Sequence, residues 1–423
     1  MSILSALVSD FEIPKMAKVR QHFPRKAVAD VKDALNEAVR SSGLLGRIKP
    51  NQSIAITASS RGLANAPIIY REIVSILKET GAKPFLVPAM GSHGGASAEG
   101  QVKVLANLGI TEEFCGCPIQ SSMDTVLIGR TEKQNIPVYI DACALAADGI
   151  VLVNRIKPHT SFRGPVESGL AKMAVIGLGN QKGADECHSF SMKKMSENIL
   201  EMSDYISRHC NICFGIGILE NAFDETSEIV CIPGEHVTEQ EPALLKKAFE
   251  LLPQIYFKQY DVLILDEIGK NISGPGMDCN VVSRYTTDAI APDPRQEIIT
   301  VLDLSKETYG NAHGMGLANI ATQRFFDKID FTATYVNPLT ALSIGSFAMP
   351  MILESDQVAI QASIKLCVNS DRANPKIIRA KNTMHVNELL ISEALLPEAK
   401  QMPEIEILSQ PAYMEFDAQG NLF

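Results

Sequence analysis

Short apolar runs alternate with amphipathic segments along most of this chain, and that alternation constrains the fold more than any other feature. SIAITA at 53–58 reads as a buried strand. Residues 66–80 carry helical periodicity and stop at Gly81, a favoured residue just past a helix end. Residues 84–89 are strand-like, 98–108 helical, GIVLV at 149–153 a third buried strand, 189–209 a long helical stretch and 211–219 apolar again. A second series follows, with strands expected at YDVLILD (260–266), 297–302 and 330–336. Helices are expected across 317–329 and 355–368. Strands of this length separated by helices imply an α/β fold with mainly parallel sheets.

The length of 423 residues suggests two or three domains at roughly 150 residues each. A Glu-rich helix at 239–252 and the turn at Pro253 put one boundary near 253–258. Two α/β domains are expected, 1–255 and 256–394, with the tail 395–423 packing back on the first. The cleft between them is the default place for an active site. A net charge of −10 argues against nucleic-acid binding and against adsorption to anionic membranes. The longest apolar candidate, 341–353, is too short to span a bilayer and contains Gly345 and Pro350. The N-terminus has no basic leader and meets Asp10 early, which makes a poor signal peptide. Nine cysteines without a framework spacing suggest reduced thiols and a cytoplasmic location. Homo-oligomerisation is compatible with all of this.

Ligands of parallel α/β sheets collect outside the carboxyl ends of the strands, so the loops there carry most information. They hold Ser59-Ser60-Arg61-Gly62, Gly91-Ser92-His93-Gly94-Gly95, Lys157-Pro158-His159-Thr160-Ser161-Phe162-Arg163-Gly164 and Glu267-Ile268-Gly269-Lys270. A pair of histidines suits acid–base chemistry near neutral pH, and Arg with Lys suits an anionic substrate. A single loop histidine is more often a hydrogen-bonded structural residue, and a basic cluster more often a solvated loop. The glycines around His93 and the crowding of His159 by Lys157 and Arg163 favour function at these two. Lys172 lies among small and apolar residues, where a charged amine is costly unless paired or covalently used; Glu167 is the simplest partner.

AVIGLGNQKGA at 174–184 imitates a strand followed by a phosphate loop, but its third glycine, Gly183, comes one place late for a dinucleotide fingerprint. An NAD(P)-dependent oxidoreductase using GLGNQKG is therefore one alternative, and a non-catalytic anion- or metal-binding protein is another. No Gly-x-Ser-x-Gly or His-Glu-x-x-His occurs, and Cys115-x-Cys117 and Cys210-x-x-Cys213 lack second pairs at zinc spacing.

SSRG (59–62), GSHGG (91–95), KPHTSFRG (157–164), SGLAK (168–172), His188 and DEIGKNISGPGMD (266–278) follow one another in an order that resembles the nickel-pincer lactate racemase family. The resemblance runs through essentially the whole chain. It implies a nickel-dependent 2-hydroxyacid racemase or epimerase with a nickel-pincer nucleotide, the nickel complex of pyridinium-3,5-bisthiocarboxylic acid mononucleotide. By that resemblance Lys172 would anchor the cofactor through a thioamide and His188 would ligate nickel. His93 and His159 would be the two acid–base catalysts, and Arg61 and Lys270 would hold the substrate. The implied partners are a small anionic 2-hydroxy acid and the enzymes that synthesise the cofactor. Gly62 after Arg61, Gly94-Gly95 after His93, and Gly169-Leu170-Ala171 before Lys172 depart from the lactate-specific pattern and mark a diverged member.

Overall fold

From Ile54 onward every residue of strand Ser53–Ala58 is buried, as an apolar run covered on both faces by helices requires. The computed structural model describes residues 2–60, 62–189, 191–291, 293, 295–341 and 345–422, and its elements are those of an α/β protein. The strand belongs to a five-stranded sheet in the order Lys83–Pro88, Ser53–Ala58, Gly149–Arg155, Ile212–Glu220, Thr226–Pro233. The first four run parallel and the last antiparallel. Helix Ala66–Glu79 buries Ile69, Ile73, Val74 and Leu77 against Ile54, Ile56, Val151 and Ile216. Its apolar residues recur at helical spacing, so one face meets the sheet.

A second sheet has eight strands, ordered Met351–Leu353, Ile320–Thr322, Ile298–Val301, Val262–Leu265, Ile377–Ala380, Glu388–Ser392, Met16–Gln21, Ile405–Ile407. The first five are parallel and the remaining pairings antiparallel. Helix Asp356–Leu366 supplies Val358, Ala359, Ala362 and Ile364 to a core shared with Val262, Ile264 and Ile377.

The chain divides into two units, Pro24–Leu252 and a discontinuous one made of Met1–Phe23 with Pro253–Phe423. One break falls at Pro253, and the ends of the chain do not follow the expected division. Strand Met16–Gln21 sits between Glu388–Ser392 and Ile405–Ile407, so the N-terminal segment and the tail 395–423 both fold with the C-terminal unit. Backbone pairing to partners far along the chain decides this, and no local pattern announces it.

Three elements correct the sequence reading. Residues 330–336 form the start of helix Phe331–Ala341, not a strand. The Asp330 carboxylate accepts the Ala333 amide and its carbonyl the Thr334 amide, and this cap outweighs the β-branched content. Within 317–329 the strand Ile320–Thr322 precedes a short helix, Gln323–Asp327, because Ile320 and Ala321 pair with Thr300 and Val301. The helical stretch at 189–209 contains helix Met195–His209, preceded by one turn at Met192–Lys194. Among the described residues no helix is long and apolar enough to cross a membrane.

Candidate functional site

Three carboxyl-end loops of the five-stranded sheet carry the first candidates. Ser60 follows strand Ser53–Ala58, and its hydroxyl makes a short hydrogen bond with Nδ1 of His93, on the loop after strand Lys83–Pro88. That loop is tightly seated. Gly91 adopts φ +61, and a Cβ there would come within 3.3 Å of Ile176 and 3.7 Å of Ala184. Gly94, at φ +70, has the Gly100–Gln101 backbone where a Cβ would go. Gly91 and Gly94 thus serve close packing, and the imidazole is exposed.

The third loop is closed at its base by paired hydrogen bonds between Lys157 and Ser168. Inside it, buried Glu167 accepts the His159 amide at 2.6 Å and the Gly164 amide at 3.3 Å, and lies 3.3 Å from Arg163. The His159 ring stacks on Phe162 at 4.3 Å between centroids. Its Nδ1 accepts the Ser161 amide at 3.0 Å, so the neutral ring carries its proton on Nε2. Burial first, then the charge of Lys172, then Lys157, His188 and Arg163 hold the His159 pKa well below the usual histidine value. His159 is therefore neutral at pH 7.

Lys172 ends a short helical turn, Leu170–Lys172, and a π-helical turn, Met173–Gly177, follows at once. Such wide turns recur at functional positions. The Glu241 carboxylate, on helix Val237–Leu251, accepts the Ala171 amide at 2.8 Å and also bonds the Leu170 amide, so it fixes the start of the turn. Burial raises the Glu241 pKa to about 7 against those two bonds. The Lys172 ammonium lies 5.9 Å from the Phe162 ring centroid, and its charge is felt at His159, His188 and Cys187.

Helix Asn180–His188 begins at Asn180, whose φ of +49 is held by side-chain bonds to Asp141 and the Ser122 carbonyl. It ends at His188, whose Nδ1 donates to the Ala184 carbonyl at 2.6 Å. A carbonyl only accepts, so Nε2 is the lone-pair nitrogen of the neutral ring, the form in which imidazole binds metals. His188 keeps an exposed edge, while the protein around it and the Lys172 charge lower its pKa, partly offset by the Ala184 bond.

The segment 174–184, which imitates a strand and phosphate loop in sequence, forms neither, because it is helical. Its glycines answer packing demands instead. A Cβ at Gly177 would lie 2.6 Å from Met173 and 2.9 Å from the Ala89 carbonyl, and one at Gly179 would lie 2.4 Å from the Val175 carbonyl.

His159, Lys172 and His188 thus fall within one electrostatic neighbourhood, with His93 on the adjoining loop. Arg61 lies outside the described residues. Lys270 belongs to the other unit, where its amide donates to the Thr308 hydroxyl at 3.0 Å. Sequence reasoning missed Glu241, which sits on a helix read only as a boundary marker. It also missed the tautomer-setting partners of His159 and His188, which depend on geometry. Among the described residues no group of three or more His, Cys, Asp or Glu side chains could hold a metal ion.

Residues 9–199 match the family model for the lactate racemase N-terminal domain. A solved structure similar to this chain is the lactate racemase apoprotein from Thermoanaerobacterium thermosaccharolyticum, at 12% identity and a TM-score of 0.46, covering 86% of this chain and 88% of that one. No curated protein matches the sequence.

Proposed function

We propose that this chain, whose residues 9–199 match the lactate racemase N-terminal domain model, inverts C2 of a small 2-hydroxy acid, as a racemase or epimerase, with a nickel-pincer nucleotide. The observation that carries this reading is the grouping of His159, Lys172 and His188 at the carboxyl end of a parallel sheet.

The donor set suits that cofactor. A metal held by protein alone needs three or more side chains, whereas a metal carried by a lysine-anchored organic group needs one imidazole beside a lysine. His188, with Nε2 as its lone-pair nitrogen, and Lys172 answer that description. A thioamide at Lys172 would also remove a charge from a crowded place. When bound, the cofactor would supply an electrophile able to take and return the C2 hydrogen with its electron pair.

The chain's own residues do the rest. His159, neutral and protonated on Nε2, is set to give a hydrogen bond or a proton to a substrate oxygen. His93 faces a hydroxyl that can donate or accept, so its ring can adopt either tautomer and take up a proton. By the resemblance, Arg61 is assigned the substrate carboxylate. The departures after Arg61 and His93 alter substrate-facing loops, which makes lactate only one of the acids to test.

Protein produced together with the cofactor-synthesis enzymes should contain nickel and show a mass increase on the Lys172 peptide. Absence of both, while a control racemase made the same way is loaded, would sink the reading. Retention of a C2 deuterium during inversion of the substrate distinguishes hydride return from exchange with solvent.

A further inference from the structure

The C-terminal unit contains a cavity of about 670 Å³ at the amino ends of three adjacent parallel strands. Tyr260 and Asp261 lead into Val262–Leu265, Glu297 into Ile298–Val301 and Lys376 into Ile377–Ala380, and all four line it. This is the opposite end of the sheet from Lys270, which follows the carboxyl end of Val262–Leu265. The volume falls in the range of metabolite sites.

Two arginines share its wall. Arg284 donates to the carbonyls of Leu317 and Glu297 and to the Asn319 side chain. Arg295 donates to the Ile255 carbonyl alone among the described residues. Each guanidinium has five donors, and here every acceptor is uncharged. Burial accordingly lowers the Arg284 pKa with no carboxylate to offset it. Between them stands Tyr260, only 3% exposed, whose hydroxyl has no hydrogen-bond partner among the described residues. Both arginine charges are felt at that hydroxyl. A buried polar group of this kind costs free energy unless something completes it.

Three carboxylates, Asp261, Glu297 and Asp371, also line the cavity, together with a third cation, Lys376. Glu297 accepts the amides of Val368 and Asn369 and the Ser370 hydroxyl. Asp371 accepts the Ala373 amide and the Asn374 side chain, and Asp261 accepts the Lys376 amide. They brace the loop 367–376, and neither guanidinium forms an ion pair among the described residues. A cation would meet both arginines, whereas an anion would meet two guanidinium groups with four of their ten donors engaged, and a waiting hydroxyl.

We propose that this cavity binds a small organic anion bearing carboxylate or phosphate groups through Arg284, Arg295 and Tyr260. The assignment concerns a site apart from the chemistry proposed above, and it is read on the full chain without added cofactor. Titration calorimetry and thermal melts with citrate and with inorganic phosphate, against chloride at matched ionic strength, provide the test. Citrate or phosphate should bind and raise Tm beyond chloride. Arg295→Gln, which gives up one carbonyl bond, should weaken that binding at least tenfold, and Tyr260→Phe should weaken it several-fold. Binding unchanged in Arg295→Gln, or no effect of either anion beyond chloride, overturns the proposal. Should the variants not fold, phenylglyoxal labelling of the wild-type chain decides. Citrate should slow modification of the Arg295 peptide relative to the other arginine peptides, and equal labelling with and without citrate overturns it.

Discussion

At the scale of single residues, the site turns on which nitrogen of each histidine carries its proton. Ser161 and Ala184 decide this for His159 and His188 in opposite senses, one partner giving a hydrogen bond and the other taking one. Lys172 then depresses both titrations, after burial at each ring and, at His188, opposed by the bond to Ala184. Replacing Lys172 by Met should therefore raise both histidine pKa values, His159 toward the ordinary 6.5, as read by NMR titration of the apo chain. Unmoved titrations would separate Lys172 from the two rings. The sign for stability follows the depressed His159 pKa. Its contribution is present above the unfolded value near 6.5 and is lost as pH falls through the lower folded value. The candidates themselves are legible in sequence because chemistry-bearing residues are scarce in strand-end loops. The tautomers are not, because backbone amides and carbonyls of Ser161 and Ala184 set them.

At the scale of elements, the turn Leu170–Lys172 depends on one carboxylate. Glu241 has a raised pKa of about 7, so its stabilising contribution is full below the unfolded value near 4.3 and is lost as pH rises through about 7. Glu241→Gln should abolish that slope, so the variant should gain on wild type between pH 5 and 8 by up to about 3 kcal/mol. Chemical denaturation across that range checks it, and parallel pH curves would refute it. Gly169→Ala would set a Cβ 2.2 Å from the same carboxylate. Crowding of that kind should cost roughly 1–3 kcal/mol by denaturant melts and lower the yield of the Lys172 mass increase. The strands around the site were legible because apolar runs such as SIAITA and GIVLV are buried on both faces. The helical turn Met173–Gly177 and the helix Asn180–His188 were not. Their glycine spacing reflects close approach of Gly177 to the remote Ala89 carbonyl and of Gly179 to the Val175 carbonyl one turn back, which a phosphate-loop pattern imitates.

At the scale of the whole molecule, the discontinuous unit is closed by its tail. Strand Ile405–Ile407 covers one edge of Met16–Gln21, Met16 and Ala412 exchange backbone bonds, and the Leu422 amide reaches buried Asp356. Removing residues 403–423 should expose that edge and lower the Tm by roughly 5 °C or more in differential scanning calorimetry. An unchanged Tm would show the tail to be dispensable. The same topology has a consequence in time. On a ribosome, Met16–Gln21 is made early, yet its partners Glu388–Ser392 emerge roughly 20–70 s later at ordinary rates of synthesis. The unit Pro24–Leu252 is complete long before then and can fold while the first strand waits. Nascent chains of this protein therefore carry an unpaired, partly apolar edge for most of their synthesis, a segment that chaperones would meet first.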